Sequence, residues 1–295
     1  MAAYKITSGQ QFGSVVRRMT TMGLHLPDSV VEEGGNWYDA VHHTIKDQTS
    51  GSAISEDQGA GIVAAVSPNM DFDNKNINAL EEIHSIPKEG WDMIQRSASR
   101  RKPDGGAEKR LPEVGAMLKE VAPSLSGAYD RGLVKAQRIL NGENWRDVLP
   151  LETAPKTHSF ADNLSDPRSK RVTIDGRAAD IITNSRIDWK TDRGLDSANR
   201  PRGRGSYVKG ETRYESYERA YAETRDRLSV QDSRFSGITN ADMQAIHWVA
   251  GKGIERSQPT ASGEVRVMGE ERKGQPYTSP QGRPLERDSA FWDQK

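Results

Sequence analysis

Between Gly9 and Gly23, Phe12, Val15, Val16 and Met19 recur three and four residues apart, among polar neighbours. That period predicts an amphipathic helix with one apolar face. A second helix is predicted over 36–48, with Trp37, Val41, Thr44 and Ile45 toward a core and Asn36 as its cap. Residues 57–67, DQGAGIVAAVS, predict a small-residue helix able to pack closely. Pro68 ends it, because proline drives the preceding residue away from helical dihedrals. Helices are also predicted over 72–86, 111–122, 132–142 and 157–165, with Pro112 in a first turn and Asn141-Gly142 as a stop. Two further helices span 212–230 and 239–253. Tyr214, Tyr217, Tyr221 and Leu228 mark a core face on the first, and Thr239 or Asn240 caps the second.

Three stretches read differently. In 171–185, Val172 and Ile174 alternate as in a strand, but no partner run lies nearby. An extended approach followed by a helix from about Asp175 to Ile182 is predicted, with Asp175 as N-cap. Residues 96–110 and Arg193–Lys209 read as basic connections rich in turn formers. From Ile254 the chain turns polar and rich in Gly, Pro and Ser, expected to wrap the surface or stay partly disordered. The expected fold is all-α, with one helical domain over 1–255 and a polar C-terminal extension over 256–295.

Charge changes this picture locally. The chain carries 42 basic and 42 acidic side chains. Residues 1–95 hold 6 basic and 13 acidic residues, whereas 96–147 hold 11 and 7. Arg193–Lys209 holds five basic residues and one acidic. A nucleic-acid binder needs such a local basic footprint rather than a basic whole. A solvated surface loop accounts for the same pattern. Cysteine is absent, which excludes disulfides, thiolate metal sites and cysteine nucleophiles. The opening MAAYKITSGQQFG has no apolar core, so no signal peptide is expected, and no apolar run suffices to span a membrane.

Candidate chemistry is sparse. There is no GxxxxGK phosphate loop and no HExxH pair. His42 and His43 point about 100° apart on a helix, too far to share a metal readily. His158 and His247 are isolated and read as core side chains. No metal site is expected.

The order of four stretches carries more. AGIVAAVSPNMDFDNKNINALEEI, GAYDRGLVKAQRILNG, LPLETAPKTHSF and VTIDGRAADI follow one another between residues 60 and 181. Together they resemble the helix-hairpin-helix DNA glycosylases. Gly132, Lys135, Ala136 and Ile139 resemble that family's glycine–lysine-alanine–apolar helix. Leu149, Pro150, Lys156 and Thr157 resemble its hairpin, and Val172 or Ile174 with Asp175 its following aspartate segment.

The resemblance implies two helical lobes with a substrate cleft between them. It implies Asp175 as the catalytic carboxylate and Lys156 as the candidate amine nucleophile. Thr153, Thr157, Arg177, Lys135, Arg200, Arg202 and Arg204 would bind DNA or phosphate, and Asn69 and Asn76 would be polar groups of the cleft. The chemistry is coherent. Base displacement builds positive charge on the sugar, which a carboxylate stabilises. An amine attacks the sugar carbon once deprotonated, and the target base must first leave the stack.

Two departures narrow this expectation. The hairpin's usual glycines are replaced by Leu151-Glu152-Thr153-Ala154-Pro155, and Gly176-Arg177 follows the aspartate. The chain looks like a divergent bacteriophage member, acting on an extruded, modified pyrimidine in double-stranded DNA. Substitution by a small amine or amino-acid donor, or glycosidic cleavage, is the implied reaction, with no cofactor, in the cytoplasm of an infected bacterium. The alternative is a non-catalytic helical DNA-binding or virion-associated protein.

Overall fold

The computed structural model describes residues 9–68, 75–102, 108–183, 213–252, 257–259 and 265–267. Its helices are α1 (Gly9–Leu24), α2 (Asp28–Gly35), α3 (Trp37–Thr49), α4 (Glu56–Val66), α5 (Lys75–Glu82) and α6 (Lys88–Ser99). They continue as α7 (Pro112–Val121), α8 (Asp130–Leu140), α9 (Trp145–Val148), α10 (Pro155–Ser165) and α11 (Gly176–Thr183). Last come α12 (Arg213–Gln231) and α13 (Asn240–Lys252). The fold is all-α. Among the described residues the only strands are β1 (Ser257–Pro259) and β2 (Val265–Val267), a short antiparallel ribbon after the last helix. The sequence pattern gave no sign of it.

Burial of apolar faces organises these helices into two clusters. The first is built by α3 to α10, with Ile45, Ile62, Leu118, Leu133 and Trp145 among its fully buried side chains. The second joins α1 to residues 172–182 and α12, through Val16, Met19, Val172, Ile182, Tyr221 and Leu228. Helix α13 serves both. Ala241 and Ala245 pack into the first cluster, Met243 and Ile246 into the second. The second cluster therefore draws on both ends of the described fold, with Val31 of α2 and residues 172–182 included, and the first on α3 to α10.

Local signals explain the boundaries. Ser55 and Gln58 form a reciprocal capping box that starts α4. Thr239 and Asp242 exchange the equivalent bonds at the head of α13. Pro112 and Pro155 start α7 and α10, where a missing N–H costs nothing. Arg18 donates to the carbonyls of Ile181 and Ile182, tying the end of α11 to α1.

The structure also departs from the predicted elements. Helices α2 and α6 lie where none was predicted, and residues 96–99, expected in a loop, end α6. On α3 the buried positions are Tyr38, Val41, Ile45 and Thr49; Trp37 packs against the same cluster while partly exposed, and Thr44 is partly exposed. Asn36 makes no side-chain cap; its amide instead donates to the Glu32 carbonyl at the end of α2. The glycines of α4 are positions of close approach. A Cβ on Gly61 would lie 2.5 Å from Trp145 Cβ.

Helices α4 and α8 also cross closely. A Cβ on Gly132 would lie 2.5 Å from the Ala65 carbonyl oxygen, a backbone atom that cannot rotate away. Alanine ordinarily improves a helix by about 1 kcal/mol over glycine. Gly132→Ala is predicted to do the reverse, lowering stability by about 1–3 kcal/mol through overpacking. Urea unfolding measures it; an unchanged or raised midpoint contradicts the close crossing.

Candidate functional site

Residues 170–175 form a strap, outside helix and strand, between the two clusters. Its backbone has no strand partner; apart from the backbone bonds of Asp175, whose amide donates to the Thr173 carbonyl at 3.1 Å, its described bonds go to side chains. The Asn240 amide donates to the Lys170 carbonyl at 3.0 Å. The Val172 amide donates to Glu218 Oε1 at 3.0 Å, while Arg171 pairs with Oε2 of the same carboxylate. The Tyr214 hydroxyl accepts from the Ile174 amide at 3.1 Å and donates to the Val172 carbonyl at 2.8 Å. Burial pushes the Glu218 carboxyl up from its ordinary range, opposed by Val172 N–H and Arg171.

The Thr173 side chain faces the first cluster. Asn163 Nδ2 donates to Thr173 Oγ1 at 3.1 Å. The Tyr38 hydroxyl lies 3.1 Å from Thr173 Oγ1 and 3.0 Å from Gln244 Oε1. One hydroxyl carries one proton, so the consistent arrangement has Thr173 donating to Tyr38 and Tyr38 donating to Gln244. All four side chains are buried. They link α3, α10, the strap and α13 in one chain of bonds.

Asp175 ends the strap. Its Oδ1 accepts from the Ala178 amide at 2.8 Å, the N-cap bond the sequence predicted for α11. Its charge also reaches two buried phenols, Tyr38 of the first cluster and Tyr221 of the second. Burial first, and the negative charge of Asp175 in addition, push both well above the ordinary tyrosine range. Asp175 is half-buried, so this carboxylate stands at the seam with access to solvent.

Lys156 occupies the first turn of α10 and is half-buried. Among the described residues no hydrogen bond or ion pair joins it to Asp175. Thr153 sits exposed in the preceding turn. There the amides of Thr153 and Ala154 both donate to the Pro150 carbonyl, and Pro155 has no N–H. Arg177 and Asn76 lie in α11 and α5, with side chains outside the described residues, as are Asn69, Arg200, Arg202 and Arg204 altogether.

Lys135 and Thr157 do come together. Both line an open-sided cavity of about 490 Å³ between the end of α4, α6, α8 and the start of α10. Pro68, which precedes Asn69, lines it as well. Burial, and then the charge of Arg138, hold the Lys135 ammonium below the ordinary lysine range. Four cations and two carboxylates face this cavity. Arg100 pairs with Glu108 and Arg110 with Asp130, leaving Arg131 and Lys135 without a counter-ion among the described residues. Tyr129, 56% exposed, stands beside them.

The histidines take different places. His42 bridges the Leu164 carbonyl and Glu56, and His158 meets the Leu149 carbonyl. His247 is fully buried beside the Tyr221 ring, with the centroids 5.5 Å apart. It lies near the Met19 backbone, but neither ring nitrogen makes a hydrogen bond of normal geometry. The sequence reading of a satisfied core histidine thus holds for its burial and not for its hydrogen bonding. No group of three or more metal-ligating side chains occurs among the described residues.

Sequence reasoning missed Tyr38, Gln244, Tyr129 and Arg131 as site members. Tyr129 and Arg131 had a local signal, since an exposed aromatic flanked by charges opens a helix there. Tyr38 and Gln244 had none, because their partners lie far away in the chain.

The model of a family of unknown function, DUF7178, matches residues 1–257. The chain belongs to this family. The match takes in every described helix, the strap and the cavity, and stops at the first residue of β1. No curated protein and no solved structure matches the chain.

Burial pushes His247 down to about 3. An unfolded histidine near 6.5 binds a proton that the native one refuses, so this residue's contribution to stability is lost as pH falls from about 6.5 toward 3. Unfolding free energies of the wild type and His247→Phe, measured across that range, should diverge by up to about 1.4 kcal/mol per pH unit. A pH-independent difference would show that His247 is not held neutral.

Proposed function

We propose that this chain processes bases in double-stranded DNA, using a two-lobed helical fold of the helix-hairpin-helix glycosylase type. The observation that carries the reading is the position of Asp175. It caps α11 at the seam of two helical clusters, half-exposed, directly after the strap. A carboxylate held there is suited to stabilise a sugar that becomes cationic as its base departs or is exchanged. Lys156, at the head of the helix that follows the turn, is the candidate amine. Lys135 and Thr157 add a cation and a hydroxyl in the adjoining cavity. Arg177, Arg200, Arg202 and Arg204 are the candidate phosphate contacts. A modified pyrimidine extruded from phage DNA, with a small amine or amino acid as incoming group, is the substrate class this reading favours.

One observation favours the alternative of binding without catalysis. The Leu149–Pro155 turn spends the Thr153 and Ala154 amides on the Pro150 carbonyl, and Glu152 is exposed there. Amides committed in this way do not grip a phosphate.

Asp175→Asn separates the two readings, because asparagine also caps helices and the fold should persist. Duplexes carrying ordinary or modified pyrimidines are incubated with each protein. The enzyme reading expects wild-type product, reduced about 10²–10³-fold by the substitution, at similar DNA affinity. DNA binding with no product from any duplex, in wild type and variant alike, establishes the non-catalytic reading.

A further inference from the structure

The cavity at the start of α8 has a charge balance that its own side chains do not close. Its two carboxylates are committed. Asp130 accepts from Arg110 Nε and from the Ser97 hydroxyl, both at 2.5 Å, and Glu108 is paired with Arg100. Arg110 is committed too, bonding the carbonyls of Ser126 and Ala128 that shape the rim. Two positive charges remain. Arg131 and Lys135 stand four residues apart on α8 and therefore project from one face.

The polar surroundings have the same sense. Tyr129 gives α8 no side-chain cap, and Asp130, Arg131 and Gly132 of its first turn line the cavity. Thr157 lines the cavity from α10 and carries a hydroxyl. A dianion placed there meets two cations, a hydroxyl and the positive end of a helix. Beside that anion position the exposed Tyr129 ring offers a flat apolar face. Aromatic side chains exposed in this way stack nucleobases. The volume lies within the ordinary range of ligand sites, about 300–1,000 Å³.

We infer that this cavity is a binding site for a nucleoside monophosphate unit, with the phosphate between Arg131 and Lys135 and the base against Tyr129. The chemistry is shared by a free nucleotide and by a nucleotide extruded from DNA. The inference stands without the DNA-processing reading, since a free monophosphate can occupy the cavity of a protein that performs no base chemistry. Holding Lys135 half-buried without a counter-ion costs stability in the empty protein, and a bound dianion removes that cost.

The test is calorimetric titration of the full chain with thymidine monophosphate, thymidine and inorganic phosphate. The monophosphate should bind at least about tenfold more tightly than either fragment, because both halves of the site are used. Lys135→Met and Arg131→Met should each weaken it about tenfold or more. Tyr129→Ala should weaken the monophosphate about fivefold or more and leave inorganic phosphate unchanged. Arg131 and Tyr129 are exposed, so their variants should keep the wild-type circular dichroism and remain interpretable if Lys135→Met does not fold. Competition by a duplex with a looped-out thymidine assigns the site to DNA; monophosphate binding without such competition assigns it to free nucleotide. Absence of binding by the monophosphate at millimolar concentration overturns the inference. So does binding that Arg131→Met and Tyr129→Ala leave unchanged.

Discussion

A buried backbone segment without a neighbouring strand must find most of its hydrogen bonds among side chains. Residues 170–175 meet that constraint with Glu218, Tyr214 and Asn240 from the last two long helices. The Tyr214 hydroxyl is the most economical of these, satisfying one donor and one acceptor on either side of Thr173. Much else depends on the strap's position. Thr173 reaches Tyr38 and Asn163 only if the strap lies where Tyr214 holds it. Asp175 stands at the seam only because the strap ends there. A buried polar chain of this kind contributes little net stability when complete, yet leaving one member unpaired costs about 1–3 kcal/mol. Its effect is therefore to fix one arrangement of the two clusters.

The seam and the cavity are different environments. At the seam, charge is kept from buried groups: His247 is held neutral, and the phenols of Tyr38 and Tyr221 resist ionisation beside Asp175. The cavity retains charge instead, in two cations with no carboxylate left for them. Helix α10 joins the two. Asn163 near its end enters the polar chain, and Thr157 in its first turn lines the cavity. A ligand at the cavity thus sits one helix away from the carboxylate that the glycosylase reading assigns to chemistry.

The sequence carried the helical faces well where the period was long and clean. Phe12, Val15, Val16 and Met19 are buried as expected, as are Tyr214, Tyr217, Tyr221 and Leu228. The N-cap role of Asp175 was also legible, as was a non-helical approach before it, since alternation without a partner run leaves few other solutions. Helix α6 was hidden because its polar, basic end at Arg96–Ser99 reads as a loop by composition. Tyr38 was hidden beside Trp37, which also packs against the first cluster but stays partly exposed. The cavity was the least legible part. Its lining comes from four helices and the segments that join them, and the cancellation of Glu108 and Asp130 by arginines is a fact of geometry that charge counts along the chain do not contain.

The central claim is that the strap is locked between both clusters and opens only when the whole fold does. Native-state hydrogen exchange of the Val172 and Ile174 amides addresses it directly, since their acceptors are the side chains of Glu218 and Tyr214. Both amides are predicted to exchange with the same opening free energy, and the same urea dependence, as the buried amides of α4. Exchange through a smaller, urea-independent opening while α4 remains protected would contradict the account.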